Sequence, residues 1–480
     1  MNVLHVIPRF IGGGPERHLL AVAAAWRDAG LVTRHRVVVL DPPLSAPLVL
    51  RARRLGMQVS VRPVDDDLLA AIATADVVEL CFWNHPAVFD LLRQPLPAMR
   101  LLLSAQVAGT SRPQVLTPDL ADRADAVVFT VDTSRQTALG RMAACFGRPI
   151  ETIPALADMT RLEGFTPRPH AGIRVGYLGL VEPTKMHPRF AELSAAVAAA
   201  DVSFDVFGDG TWGGELQRRF AELGRGGQVR LHGHAENLRD ALAAIDILGY
   251  PLAPDTYASS DKTLQEAMWV GIPPVVLGGT AVASLVEHGR TGLVCESEQD
   301  YPRAIERLAT APSLRQRLGA AARSHARLAF DPARNAARIR SLVETLAAMP
   351  KRQRLPLAGH DQSGAARFVA SLGDLAGEFA VSLAGSGAHG QDAVRAADAA
   401  IAAATDVLAR GEGGICHYRN TYPGDPHLRL WAGLVVRERG GQGAAAADLA
   451  AAVAGGIEPW RIGLPHGGGS RRFPASHPDG

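Results

Sequence analysis

Short runs of Val, Ile and Leu alternate with helical patterns through most of the chain, and this rhythm limits the fold more than any other feature. Val3 to Ile7, Arg36 to Leu40, Val59 to Val64, Val77 to Phe82, Leu101 to Gln106 and Ala126 to Val131 read as buried strands, with helix-like stretches between most of them. Apolar strands that alternate with helices call for a doubly wound parallel sheet covered on both faces. The rhythm breaks between about Asp158 and Gly172, where LEGFTPRPHAG carries two prolines and two glycines and reads as a linker. It then restarts with Ile173 to Leu178, Ser203 to Phe207, Val229 to His232, Ile247 to Tyr250, Pro274 to Leu277 and Gly292 to Cys295. Two such halves place a cleft between two rows of strand carboxyl ends, where open α/β sheets bind ligands.

The expected organisation is a Rossmann-like unit over 1–157 and a second over 172–330, with a helical run over 331–349 crossing back onto the first. After KRQRLPLAGHDQSG the chain turns Ala-rich and helical over 360–462, and the tail 463–480 reads as disordered. Trp431, Leu434, Ala447, Ala454 and Pro459 fall at tetratricopeptide spacing, but Val435, Glu438 and Ala451 depart from that pattern and no second copy follows. A lone repeat cannot bury its own face, so this segment reads as a helical appendage on the core or as an arm for a protein partner.

Composition removes several classes. Fifty basic and 48 acidic residues leave a net charge of +2, which offers no stripe for nucleic acid. Three lysines, Lys185, Lys262 and Lys351, stand among arginines everywhere else. With 47% hydrophobic and 20% charged residues the chain is too apolar for disorder, and no run is long enough for a transmembrane segment. MNVLHVIPRFIGGGPER has no charged opening and reads as no signal peptide. Cys81, Cys145, Cys295 and Cys416 lie far apart, which fits a reducing, cytoplasmic setting rather than a disulfide or zinc framework.

Four loops carry the candidate chemistry. The first strand runs into Gly12-Gly13-Gly14-Pro15 ahead of a helix from about Pro15 to Ala29, so free amides face either an anion or a plain tight turn. In VGYLGLVEPTKMHP, Gly179 and a five-residue loop bring Lys185 to the mouth of the second sheet, where an ammonium meets either a phosphate or solvent. Gly208-Asp209-Gly210 ends a later strand as a turn or as a second wall of the same site. In DTYASSDKTLQEAMWVGIPPVV, Ser259, Ser260 and Asp261 precede a helix from about Lys262 to Val270, with Glu266 one turn beyond Lys262. A nucleotide could use Lys262 and the amides for phosphate and Glu266 for ribose hydroxyls; otherwise Asp261 is an N-cap and the Lys262–Glu266 spacing an i,i+4 pair.

Linked by their spacing, these segments resemble retaining glycosyltransferases of family 4, which have two facing Rossmann domains (the GT-B fold); the likeness covers roughly residues 1–350. GGGPERHLL resembles the first glycine loop, LGLVEPTKMHP the donor loop, and LQEAMWVGIPPVV with VEHGRTGLV the C-terminal signature. The resemblance implies transfer of a sugar from a nucleotide-diphosphate sugar to a glycan or other hydroxyl acceptor, with no metal and no further cofactor. It implies Lys185 on the donor diphosphate, Glu266 on the ribose, the backbone of Gly12, Gly13, Thr263 and Leu264 on the phosphates, and His232 and Gly233 beside the base. Three positions depart from the pattern: Leu180 replaces the donor-loop arginine, Ala258 the first glutamate of the paired E-x7-E motif, and Gln106 the histidine after a first-domain strand. A catalytically silent sugar-nucleotide or glycan binder is therefore the alternative to an enzyme.

Other signals are bland. Asp65-Asp66-Asp67 fits a helix N-cap and first turn better than a metal-binding DxD. His232 and His234 share a strand face but have no third ligand nearby. His85 in CFWNHP lies just past a strand end, where it either touches an acceptor or caps the next helix. No GxSxG motif supports a hydrolase.

Overall fold

The computed structural model describes residues 1–31, 33–359, 362–384 and 391–439. Strands β1 (Asn2–Ile7), β2 (Arg34–Val39), β3 (Gln58–Val61), β4 (Val77–Phe82), β5 (Leu101–Ala105), β6 (Ala126–Phe129) and β7 (Ile150–Thr152) form one sheet in the order β3-β2-β1-β4-β5-β6-β7. Every pairing in it is parallel. The expected run Val59 to Val64 stops at Val61, because Arg62 takes a φ of 39° ahead of Pro63. The edge strand β7 gave no apolar signal, since all three of its residues are only half-buried.

The second sheet holds β8 (Ile173–Leu178), β9 (Val202–Phe207), β10 (Val229–Gly233), β11 (Ile247–Tyr250), β12 (Pro274–Leu277) and β13 (Leu293–Cys295), also all parallel, in the order β10-β9-β8-β11-β12-β13. Strand order reverses between β1 and β4 in the first sheet and between β8 and β11 in the second. A topological switch opens a crevice at the strand carboxyl ends, and the glycine loop, the Lys185 loop and the segment before Lys262 follow such ends.

Two helices start at that crevice, and a third links the two units. α1 (Gly14–Asp28) follows β1, and α2 (Lys262–Val270) follows β11. α3 (Pro332–Ala347) starts behind the N-cap Asp331 and returns to the first sheet, where Ile339, Leu342, Val343 and Leu346 pack with Val3, Trp26 and Val77. The Trp26 indole N–H donates to the Ala336 carbonyl at 2.9 Å and fixes that crossing. The linker is ordered: Met159 and Leu162 form a short helical turn that is buried in the second core. The basic segment after α3 lies along the first unit, with Arg354 pairing to Asp125 and the Lys351 ammonium donating to the Ala73 carbonyl.

Beyond it, helices Gly364–Leu372, Glu378–Ala384, Gln391–Ala402, Ile415–Thr421 and Pro426–Arg439 build a third, separate core. Trp431 is wholly buried there among the rings of Phe368 and Phe379, and its indole N–H donates to Ser382 Oγ at 3.0 Å. Of the tetratricopeptide-like positions, Trp431 and Leu434 face this core, whereas Ala447, Ala454, Pro459 and the tail 463–480 lie outside the described residues. The helices dock on the carboxyl end of the first sheet. Asn84, two residues past β4, donates to Ser371 Oγ at 3.0 Å and accepts from the Tyr418 hydroxyl at 3.1 Å. Among the described residues no helix is long and apolar enough to cross a membrane.

Trp431→Ala removes the largest side chain of this third core and leaves Ser382 Oγ without its indole donor. The substitution is expected to cost about 3–5 kcal/mol in urea unfolding of the helical segment. A loss below about 1 kcal/mol would show that the segment is not held by this cluster.

Candidate functional site

The glycine loop and α1 build the first wall. Gly12 takes a φ of +118°, which admits glycine and few other residues. Glu16, in the first turn of α1, folds back and accepts from the Ile11 amide at 3.1 Å. A β-carbon on Gly13 would lie 2.9 Å from Glu16 Oε2, so the loop closes tightly over this carboxyl. Burial pushes the Glu16 carboxyl above its usual range, against backbone amides that pull it down.

The second wall starts where β8 ends. Gly179 and Gly208 pass so closely that a β-carbon on Gly208 would fall 1.7 Å from the Gly179 carbonyl oxygen, and Gly208 has a φ of +152°. No side chain fits between these loops. The next turn delivers Lys185, whose Nζ lies 3.0 Å from Asp261 Oδ2. Burial opposes the Lys185 charge, but the Asp261 carboxylate outweighs it and holds the ammonium above the usual lysine range. The other Asp261 oxygen accepts from the Leu264 amide and from the Tyr250 hydroxyl, both at 3.2 Å. One carboxylate thus caps α2 and fixes the lysine loop.

Lys262 and Glu266 follow on α2. Lys262 reaches across to the first unit, where a β-carbon on Gly14 would sit 3.9 Å from its Nζ. Burial lowers its pKa to about 8, although Glu266 and Asp261 pull it upward. Burial raises the Glu266 carboxyl to about 7, against the attraction of Arg161, Lys262 and Arg17. The helix start therefore offers a cation and a carboxyl that both titrate near neutrality, a common mark of working sites.

The remaining expected residues divide. The Ser259 hydroxyl accepts from Thr130 Oγ1 at 2.7 Å and donates to the Gln106 carbonyl at 3.2 Å, and the Ser260 hydroxyl accepts from the Ala155 amide at 3.1 Å. Gln265 Nε2 adds a bond to the Ala155 carbonyl at 3.1 Å. These bonds join the two units, so the Ser259 and Ser260 hydroxyls ahead of α2 are engaged between them. The Leu264 amide is likewise taken by Asp261, whereas Thr263 stays half-buried beside Tyr250. His232, one residue before the end of β10, stacks on Phe207 with centroids 4.3 Å apart and bonds Asp205 at 2.7 Å, next to Gly233 with its φ of +68°. His234 pairs instead with Asp209 at 3.1 Å, so the two histidines serve different carboxylates.

On the first unit, His85 caps the helix Pro86–Leu92 by accepting from the Ala87 amide at 3.2 Å. The Gln106 side chain folds back onto Ser104 Oγ at 2.8 Å. The three aspartates from Asp65 occupy the first turn of a helix, with Val64 rather than an aspartate as its N-cap. Leu180 is 37% exposed in the lysine loop, and Ala258 packs against the second core. Sequence spacing missed Arg17 and Arg161, exposed cations acting on Glu266, because they lie on α1 and in the linker, far from it along the chain.

Residues 172–311, which contain both lysines and Glu266, match the family described as glycosyl transferases group 1. The two-sheet architecture is the GT-B fold. It is similar to HepE of Anabaena solved with UDP and glucose, at 17% identity and a TM-score of 0.58 over 72% of this chain and 100% of HepE. It is also similar to a glycosyltransferase from Rickettsia africae, at 11% identity and a TM-score of 0.59 over 73% of this chain and 99% of that one. The pneumococcal O-GlcNAc transferase GtfA, solved with UDP and GlcNAc, aligns at 14% identity and a TM-score of 0.55 over 72% of this chain and 99% of its own. At these identities the likeness speaks for the fold. No curated protein sequence matches the chain.

Glu266 supplies a test of the site's electrostatics. Its folded pKa of about 7 lies above the ordinary 4.5, so ionisation lowers stability as pH rises from about 4.5 to about 7. Glu266→Gln removes that penalty and is expected to be more stable than the parent at about pH 8, with the difference gone at about pH 4. Thermal unfolding at both pH values checks this. Equal or lower stability of the variant at the higher pH contradicts it.

Proposed function

We propose that the protein is a glycosyltransferase that moves a sugar from a nucleotide-diphosphate sugar to a hydroxyl acceptor with retained configuration. The observation that carries the reading is the meeting of Lys185, Lys262 and Glu266 at one helix start, facing the glycine loop of the other unit. Lys185 and Lys262 meet the diphosphate as point charges, with the start of α2 and the Gly12-Gly13 backbone adding oriented amides. As a carboxylate, Glu266 accepts from the ribose hydroxyls, and His232 with Gly233 flanks the base. HepE and GtfA were each solved with UDP, which makes UDP the first nucleotide to test.

In the reaction the bond from the sugar's anomeric carbon to phosphate breaks, and a bond from that carbon to the acceptor oxygen forms on the same face. The acceptor proton passes to the departing diphosphate, whose growing charge the two lysines stabilise. No metal or further cofactor enters this scheme. His85 and Gln106 lie on the acceptor side, a cytoplasmic location is the natural setting, and the helical segment is free to recruit a protein partner.

A second reading rests on Leu180 and Ala258, which leave two positions uncharged where the resemblance expects an arginine and a glutamate. It makes the protein a sugar-nucleotide or glycan binder without turnover. Arg161 and Arg17 beside Glu266 restore positive charge to the crevice and favour the enzyme.

Thermal stabilisation by UDP and GDP, with release of either from a panel of nucleotide sugars, separates the readings. Stabilisation with turnover is expected; stabilisation alone supports the binder, and no response to any nucleotide overturns both. Lys185→Ala is expected to weaken nucleotide binding at least about tenfold, while Lys351→Ala leaves it unchanged. Equal effects would sink the assignment of the lysine loop.

A further inference from the structure

The docked helical segment closes over one group of first-unit side chains that the donor site does not use. Arg9, in the loop after β1, Asp41, just past β2, and His85, just past β4, stand at three strand carboxyl ends. The turn Gly411-Glu412-Gly413-Gly414 and the helix Ile415–Thr421 cover them. Glu412 Oε1 accepts from Arg9 at 2.8 Å, and its carbonyl accepts from Gln114 Nε2 at 2.6 Å. A β-carbon on Gly413 would lie 2.4 Å from the Asn84 carbonyl oxygen, so backbone meets backbone at this joint. The His417 ring meets His85 edge-on with centroids 4.6 Å apart, and ligand atoms of Asp41, His85 and His417 lie within 4.8 Å of one another.

The donor set decides what this cluster suits. Asp41, His85 and His417 have the composition of a metal site, but each imidazole already uses Nδ1 to accept a backbone amide. Ala87 donates to His85 at 3.2 Å and Gly413 donates to His417 at 3.0 Å. A neutral ring that accepts through Nδ1 carries its proton on Nε2 and offers no lone pair there to a metal. Asp41 is also paired with Arg62 at 2.5 Å and approached by Arg9 at 3.5 Å, and burial holds both imidazoles in the neutral form. What remains is a mixed set: N–H donors from the histidines and Arg9 beside the carboxylates Asp41 and Glu412. The His85 side chain is 2% exposed, and its Nε2 stands 3.7 Å from Asp41 Oδ2, too far for a hydrogen bond, and has no other partner. A buried donor left unpaired costs free energy until an acceptor reaches it.

We infer that the C-terminal helical segment is the outer wall of the acceptor site, and that Arg9, Asp41, His85, Glu412 and His417 together bind an uncharged sugar ring through its hydroxyls. Once Arg62, the outer partner of Asp41, is counted with Arg9, two arginines balance the two carboxylates and leave no net charge, which disfavours a phosphate or a carboxylate ligand. Hydroxyls answer both halves of the set, accepting from N–H and donating to carboxylate. This inference rests on the glycosyltransferase reading and names the acceptor class within it. It gives the appendage a role in the reaction itself.

The test uses the full chain saturated with UDP and the p-nitrophenyl α- and β-glycosides of glucose, galactose and N-acetylglucosamine as probes, with binding followed by saturation-transfer NMR. At least one glycoside is expected to bind. Glu412→Gln and His417→Ala are each expected to weaken it about tenfold or more, while UDP affinity stays within about twofold of the parent. A melting temperature equal to the parent's shows that the segment is still docked, and His417→Gln, which keeps an N–H donor, is expected to recover part of the affinity. Glycoside binding unchanged in both variants, or no glycoside bound by the parent while UDP binds, overturns the inference and leaves the donor reading intact. A parent chain that binds neither UDP nor GDP overturns the donor reading instead. Glucose-1-phosphate and glucuronic acid serve as charged controls, and tighter binding of either than of the neutral glycosides also contradicts the inference.

Discussion

The arrangement of the crevice hangs on one carboxylate. Asp261 pairs with Lys185 at 3.0 Å, caps α2 through the Leu264 amide and receives the Tyr250 hydroxyl. Each partner comes from a different stretch of chain: the loop after β8, the helix itself and the end of β11. Burying a carboxylate and an ammonium is costly unless both are paired and hydrogen-bonded, and here both conditions are met. With Asp261 fixed, Lys262 and Glu266 follow at positions set by helical geometry, and the lysine loop cannot drift from the helix start.

The second dependence lies between the units. Ser259, Ser260 and Gln265 bond to Thr130, Gln106 and Ala155, so the segment that presents Lys262 is seated on the first sheet. That seating brings the Lys262 ammonium to the glycine loop and gathers enough low-dielectric surroundings to lower Lys262 and raise Glu266 toward neutral pH. α3 completes the link by leaving the second unit and packing on the first beside Trp26. The helical segment then covers the carboxyl end of the first sheet through Asn84 and Glu412.

Much of this fold is legible in the sequence, for a physical reason. Strands such as Val77–Phe82, Ile173–Leu178, Ile247–Tyr250 and Pro274–Leu277 are buried on both faces, so their apolar runs mark both ends. The start of α2 is equally legible, because Asp261 is a local cap and Gly271 ends the helix with a φ of 88°. What spacing does not carry is partnership at a distance. Asp261 reads as a cap with no hint of Lys185, Ser259 and Ser260 give no hint of Thr130 and Ala155, which are far away in sequence, and Glu412 gives no sign that it meets Arg9. β7 escapes for a different reason: a short edge strand with half-buried residues has no pattern to read.

The central claim is that Lys262 and Glu266 serve the proposed nucleotide site and titrate close to neutrality, at about 8 and about 7. Calorimetric measurement of UDP affinity against pH tests it most directly. Glu266 must lose its proton, near pH 7, to accept from ribose, and Lys262 must keep its own, up to about pH 8, to meet phosphate. Affinity is therefore predicted to rise through about pH 7, peak and fall above about pH 8, with the acid limb in Glu266→Gln reduced to the part that protonation of the terminal UDP phosphate, at about pH 6, supplies. Affinity that is flat across this range, or that declines steadily from about pH 6 in the parent and the variant alike, would contradict the claim.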